Sequence, residues 1–118
     1  MKYTLRIKNK RIFKYVIKKG RFFSNKYITV HCTNIKKSNN NINFFGICIS
    51  KKNGNSVQRN KMKRWAREVY KIEELNLKKG FNIIILYKKI ANVEILDFKL
   101  VHKELIECFK GLDLYGKN

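Results

Sequence analysis

The sequence contains no proline and only six glycines among its 118 residues. With 44% hydrophobic content, including eight Phe, six Tyr and one Trp, that scarcity of breakers excludes a collagen-like or disordered chain. No apolar run approaches the roughly 20 residues a membrane span needs. The opening stretch MKYTLRIKNKRIFKYV is interrupted by charge throughout, so it does not read as a signal-peptide core. Cysteine is sparse and odd in number. Cys32, Cys48 and Cys108 stand too far apart for a Cys-x-x-Cys metal site, and they read as buried free thiols of a reducing, cytoplasmic compartment. The most telling lack is of acid. From Met1 to Arg67 there are 19 Lys or Arg and no Asp or Glu, whereas Glu68 to Asn118 carries 9 basic and 8 acidic residues. A cationic field concentrated in this way points to a nucleic acid backbone as partner, with no membrane and no obligate protein partner called for.

The same lack bears on chemistry. Metal-assisted phosphodiester hydrolysis needs carboxylates to hold the cations, and the basic portion supplies none. His31 and His102 are isolated in sequence, and a lone histidine is more often structural than a general base. No catalytic residue and no metal ligand is assigned. The sequence favours a positioning protein over a catalyst.

Periodicity organises the chain as one domain, 1–118. Ile12, Phe13, Val16 and Ile17 mark one face of a helix over residues 10 to 19, with Asn9 as cap and Gly20 as a left-handed terminus. Tyr27–Cys32 and Phe45–Ser50 alternate as strands, facing the core with Ile28, Val30 and Cys32, and with Phe45, Ile47 and Ile49. NIKKSNNNIN between them reads as a solvated loop. A turn over Lys51 to Asn55 leads into a helix capped by Asn55 or Ser56 and running to about Ile72. After Lys79-Gly80, the run FNIIILY fits a central strand covered on both faces. Asp97 to Lys110 closes the chain with an amphipathic helix. Helix, strands, helix, strand, helix implies an α/β sandwich.

Two faces divide the middle helix. Met62, Trp65, Ala66, Val69 and Ile72 share an apolar arc of roughly 120°, which makes Trp65 a core anchor rather than a base-stacking platform. Arg59, Asn60, Lys63, Arg64, Arg67 and Lys71 occupy a separate arc. A merely solvated face mixes signs to gain i,i+4 pairs, but Arg59, Lys63 and Arg67 succeed one another at i+4. Such repulsion calls for an anionic ligand. Glu68 has Arg64 or Lys71 within helical reach as a partner.

Lys51-Lys52-Asn53-Gly54-Asn55-Ser56-Val57-Gln58-Arg59-Asn60-Lys61-Met62-Lys63-Arg64-Trp65-Ala66-Arg67-Glu68 closely resembles the signature of the bacterial ribonuclease P protein subunit. That signature reads roughly K-K-x-G-N-[AS]-V-x-R-N-[RK]-x-K-R-x-x-R-E, and the resemblance extends over nearly the whole chain. It implies binding to a catalytic RNA that removes the 5′ leader of precursor tRNA using magnesium held mainly by the RNA partners. It also implies a two-layer α+β sandwich with a small mixed four-stranded sheet and three helices in the order αβββαβα. A left-handed βαβ crossover follows from the resemblance alone, since the general rule is right-handed. By the same resemblance, Arg59, Asn60, Lys61, Lys63, Arg64 and Arg67 face the RNA subunit, and Lys51, Lys52 and Asn55 on the turn with Lys71 on the basic arc are expected to bind RNA beside them. Phe13, Ile17, Thr29, His31 and Cys48 match a cleft for the single-stranded leader, and alternation places Thr29, His31 and Cys48 off the core-facing rows. The family often carries aromatics where His31 and Ile17 stand, and Arg where Lys61 stands. A ribosomal or other structural RNA-binding protein is the alternative of another class. A DNA-binding module fits less well, because no helix-turn-helix pair precedes the basic helix.

Overall fold

Phe81–Tyr87 forms the central strand, β5, of the computed structural model, which describes residues 1–35 and 41–116. Its near-unbroken apolar sequence follows from burial on both sides. Ile83, Ile85 and Tyr87 enter the main core, and Ile84 enters a second, smaller cluster on the opposite face. Strand β3 (Ile28–Asn34) pairs antiparallel with one edge of β5, and β4 (Asn43–Ile49) pairs parallel with the other. Short outer strands complete the sheet: β1 (Thr4–Arg6) beside β4 and β2 (Arg21–Ser24) beside β3, giving the order β1-β4-β5-β3-β2. The expected residues of β3 and β4 do face the core, with Ile28, Val30 and Cys32 fully buried.

Helices α2 (Ser56–Glu73) and α3 (Phe98–Gly111) pack on the main-core face, the latter capped by Asp97 through the Leu100 amide at 2.8 Å. Helix α1 (Lys10–Lys19) lies on the other face, with Val16 against Ile84. The expected two layers thus become three in part, because β5 is apolar on both sides and each side needs cover. The sheet has five strands where four were expected. β1 is the addition. It is only three residues long and has a polar, charged sequence, so alternation does not reveal it. What holds it is a buried polar cluster. The Glu74 carboxylate accepts from the amides of Lys2 at 2.7 Å and Tyr3 at 3.1 Å and from the Thr4 hydroxyl. The Thr4 hydroxyl also meets Tyr70 Oη at 2.8 Å.

Two local expectations change. Gly20 has φ −73° and ψ 161°, which is extended rather than left-handed. The chain passes straight from α1 into β2, and a Cβ at Gly20 would lie 2.4 Å from the Val16 carbonyl oxygen and 2.6 Å from that of Cys32. Close approach explains the glycine. Of the expected Asn-rich loop, Asn34 ends β3 and Asn43 begins β4, while residues 36–40 lie outside the described residues.

Candidate nucleic-acid interface

The basic segment begins in a turn whose shape is fixed from several directions. Gly54 has φ +65°, and a Cβ there would sit 2.3 Å from Gln58 Oε1, so only glycine fits without displacement. Asn53 is fully buried and clips the turn to the strand exit: its Nδ2 donates to the Lys88 carbonyl at 2.9 Å and its Oδ1 accepts from the Ile90 amide at 2.8 Å. Asn55 caps α2 in a reciprocal box with Gln58, each bond 2.9 Å. Arg59 Nη1 reaches back to the carbonyls of Lys51 at 3.0 Å and Gly54 at 2.8 Å. Asn55 and Arg59, both expected to face RNA, therefore have structural employment in shaping the turn. Lys51 and Lys52 remain exposed on it.

Along α2 the buried face comprises Met62, Ala66, Val69 and Tyr70. It is rotated toward Tyr70 relative to the expected apolar arc. Trp65 is half-buried and packs on the edge of the core, whereas Ile72 is 53% exposed and anchors nothing. Tyr70 takes the interior position because its hydroxyl finds Thr4 and Asn43 there. Asn60, Lys61, Arg64, Arg67 and Lys71 are exposed and Lys63 is half-buried. Glu68 approaches Arg64 at 3.8 Å, an exposed contact worth about 0–1 kcal/mol that leaves the cationic face largely uncompensated.

The other sheet face carries the second candidate site. Residues paired in register share a face, so the rows can be read directly. Cys48, Leu86, Thr29 and Ser24 form one row, and Gly46, Ile84, His31 and Phe22 the next. Helix α1 lies over the second row, with the Phe13 ring against Gly46. All five expected cleft residues are thereby gathered: Phe13 and Ile17 on the helix, Thr29, His31 and Cys48 on the sheet. Thr29 is nearly buried and meets Ser24 Oγ at 3.0 Å. His31 lies 5.8 Å from the Phe22 ring, between centroids, and its buried Nδ1 has no hydrogen-bond partner among the described residues. Burial lowers its pKa, so the ring is neutral at pH 7. Sequence reasoning missed Leu86, Phe22 and Gly46. Leu86 was in phase with Ile84, but strand register was needed to place it beside Thr29 and Cys48.

The two sites meet at the sheet edge. Pairing between β1 and β4 ends at Phe45, leaving the rest of that β4 edge uncovered by β1. There a cavity of about 410 Å³ is lined by Phe13, Gly46 and Ile47 together with Arg6, Ile7, Lys63 and Arg67. Among the described residues there is no group of three His, Cys, Asp or Glu that could hold a metal ion. No described helix is long and apolar enough to cross a membrane.

Comparison with known proteins agrees with this geometry. The family model described as Ribonuclease P matches residues 1–113. The ribonuclease P protein component of Clostridium botulinum is 31% identical over 112 residues, covering 94% of this chain and 96% of that one. That of Natranaerobius thermophilus is 35% identical over 109 residues, covering 92% and 87%. The solved RNase P protein of Staphylococcus aureus superposes with a TM-score of 0.81 at 28% identity, covering 94% of this chain and 97% of that one. On the basic turn and helix, the fold and these matches together, the chain belongs to the ribonuclease P protein family.

Proposed function

We propose a division of labour for this subunit of an endoribonuclease of tRNA 5′ maturation: the RNA subunit breaks the bond, and the protein holds the RNA subunit and the precursor leader in one register. The cations of α2 near Asn60, the half-buried Lys63 and the exposed Lys61, Arg64, Arg67 and Lys71, with Lys51 and Lys52 on the turn, neutralise phosphates of the RNA subunit. The cleft under Phe13 and Ile17, floored by Cys48, Thr29, His31 and Leu86, receives the single-stranded leader of precursor tRNA. Base stacking there is worth about 1–3 kcal/mol per base, and the rings of His31 and Phe22, tilted 39° to one another, supply aromatic surface for it. Magnesium sits on the phosphates of the RNA partners. The left-handed sense of the β4–α2–β5 crossover and a cytoplasmic site of action, where Cys32, Cys48 and Cys108 stay reduced, belong to the same proposal.

The observation that carries this reading is the shared cavity: Lys63 and Arg67 border the space that Phe13 and Gly46 also border. A polyanion lying along α2 can pass into the cleft without leaving the cationic field. Reconstitution with a bacterial ribonuclease P RNA tests it, comparing affinity for precursor and mature tRNA. The Phe13→Ala variant should lose discrimination between them; an equal loss for both would assign Phe13 to packing alone.

A further inference from the structure

Helix α1 crosses the open sheet face and leaves ground on both its flanks. At about 100° per residue, Phe13 and Ile17 lie on one side of the buried Val16, and Ile12 and Tyr15 on the other. On that second flank lies a groove of about 740 Å³ between α1 and β1. Its surface is apolar and open to solvent: Leu5 is 57% exposed, Ile12 42% and Tyr15 43%, with Phe44 beside them. Lys8 and Arg11 stand at the rim.

We infer that this groove is a second binding site for unpaired RNA, separate from the leader cleft, in which bases lie on Leu5, Ile12, Tyr15 and Phe44 while phosphates meet Lys8 and Arg11. Charge decides the occupant. Apart from Asn82, every residue lining the groove belongs to the first 67, which contain 19 cations and no acid, so an acidic backbone gains at its rim what a neutral or basic partner does not. Apolar and aromatic side chains interleaved with cations are the arrangement that takes splayed bases in single strands. Exposed apolar side chains lining one groove also form a patch of the kind that marks a binding surface. The inference rests on the RNA-binding reading above and adds to it a second path for single-stranded RNA along α1.

The test is a backbone-amide NMR titration of the intact chain with an oligouridylate of about ten nucleotides. Resonances of Leu5, Ile12 and Phe44 should shift along with those of Cys48 and of α2. In the double variant Ile12→Ser/Tyr15→Ala, the groove resonances should titrate at least about fivefold more weakly, with the Cys48 response unchanged. Mapping on the unaltered chain stands even if that variant fails to fold. Shifts at α2 and Cys48 with silence in the groove would overturn this inference alone. Silence at all three would overturn the RNA-binding reading as well. Equal groove shifts with polyglutamate would reduce the site to bare charge and also overturn it.

Discussion

The edge of the Phe13 ring lies so close to Gly46 that a Cβ on residue 46 would stand 2.7 Å from it. Phe13 is thus seated by the absence of a side chain on β4, and the wall of the cleft depends on a glycine in its floor. Gly46→Ala should push the ring outward at a cost of about 1–3 kcal/mol. Binding of precursor tRNA by the reconstituted enzyme should weaken more than binding of mature tRNA. Unequal loss, read by paired binding titrations, separates a displaced wall from general destabilisation.

Cysteine reactivity reports on the same cleft. Burial pushes the Cys108 thiol up to about 12, reinforced by Glu104 and Glu107, and burial also raises that of Cys32 despite Arg21 nearby. Cys48 is half-buried on the open face. A thiol-alkylating reagent applied to the folded protein should modify Cys48 first, and precursor tRNA should slow that modification. Mass spectrometry of digested peptides gives the site and rate.

Arg59 and Arg64 should behave differently although both lie in one basic run. Arg64→Ala removes an exposed cation and should weaken RNA-subunit binding with an unchanged melting temperature. Arg59→Ala removes two bonds to backbone carbonyls, so it should lower the melting temperature as well as the affinity. Binding and thermal melts on both variants check the contrast.

This contrast also marks the limit of what the sequence discloses. The central strand, α2 and α3 were legible because their apolar spacing repeats over many residues and their caps are local: Asn55 and Asp97 sit next to the helices they start. β1 and β2 were obscure for the opposite reason. One is three residues long, and the other, RFFS, is an edge strand exposed at every position, so neither shows alternating burial. The basic face was legible from charge alone. Which of its cations are spent on the turn was not, since Arg59 differs from Arg64 only in what lies across from it. Tyr70 illustrates the same point for the core, because its partner Thr4 stands 66 residues away.

The Glu74 cluster predicts an acid limit to stability. Burial acts to raise the Glu74 pKa, but the Thr4 hydroxyl, the Lys2 and Tyr3 amides and the N-terminal ammonium prevail and hold it below its ordinary value of 4.5. A folded value below the unfolded one stabilises fully above pH 4.5 and is lost as pH falls through the folded value. Glu74→Gln should cost about 1.5–3 kcal/mol near pH 7 and should flatten the acid side of the stability profile. Denaturant midpoints between neutral and acidic pH measure both effects.

The claim at the centre is that the protein positions RNA while the RNA subunit cuts. It is tested most directly by precursor-tRNA cleavage at limiting magnesium with three mixtures: RNA subunit alone, protein alone freed of nucleic acid, and the two together. Efficient 5′ cleavage by the complete mixture, with none by the isolated protein, is the expected result. Cleavage by the isolated protein at a rate comparable to the complete mixture would contradict it.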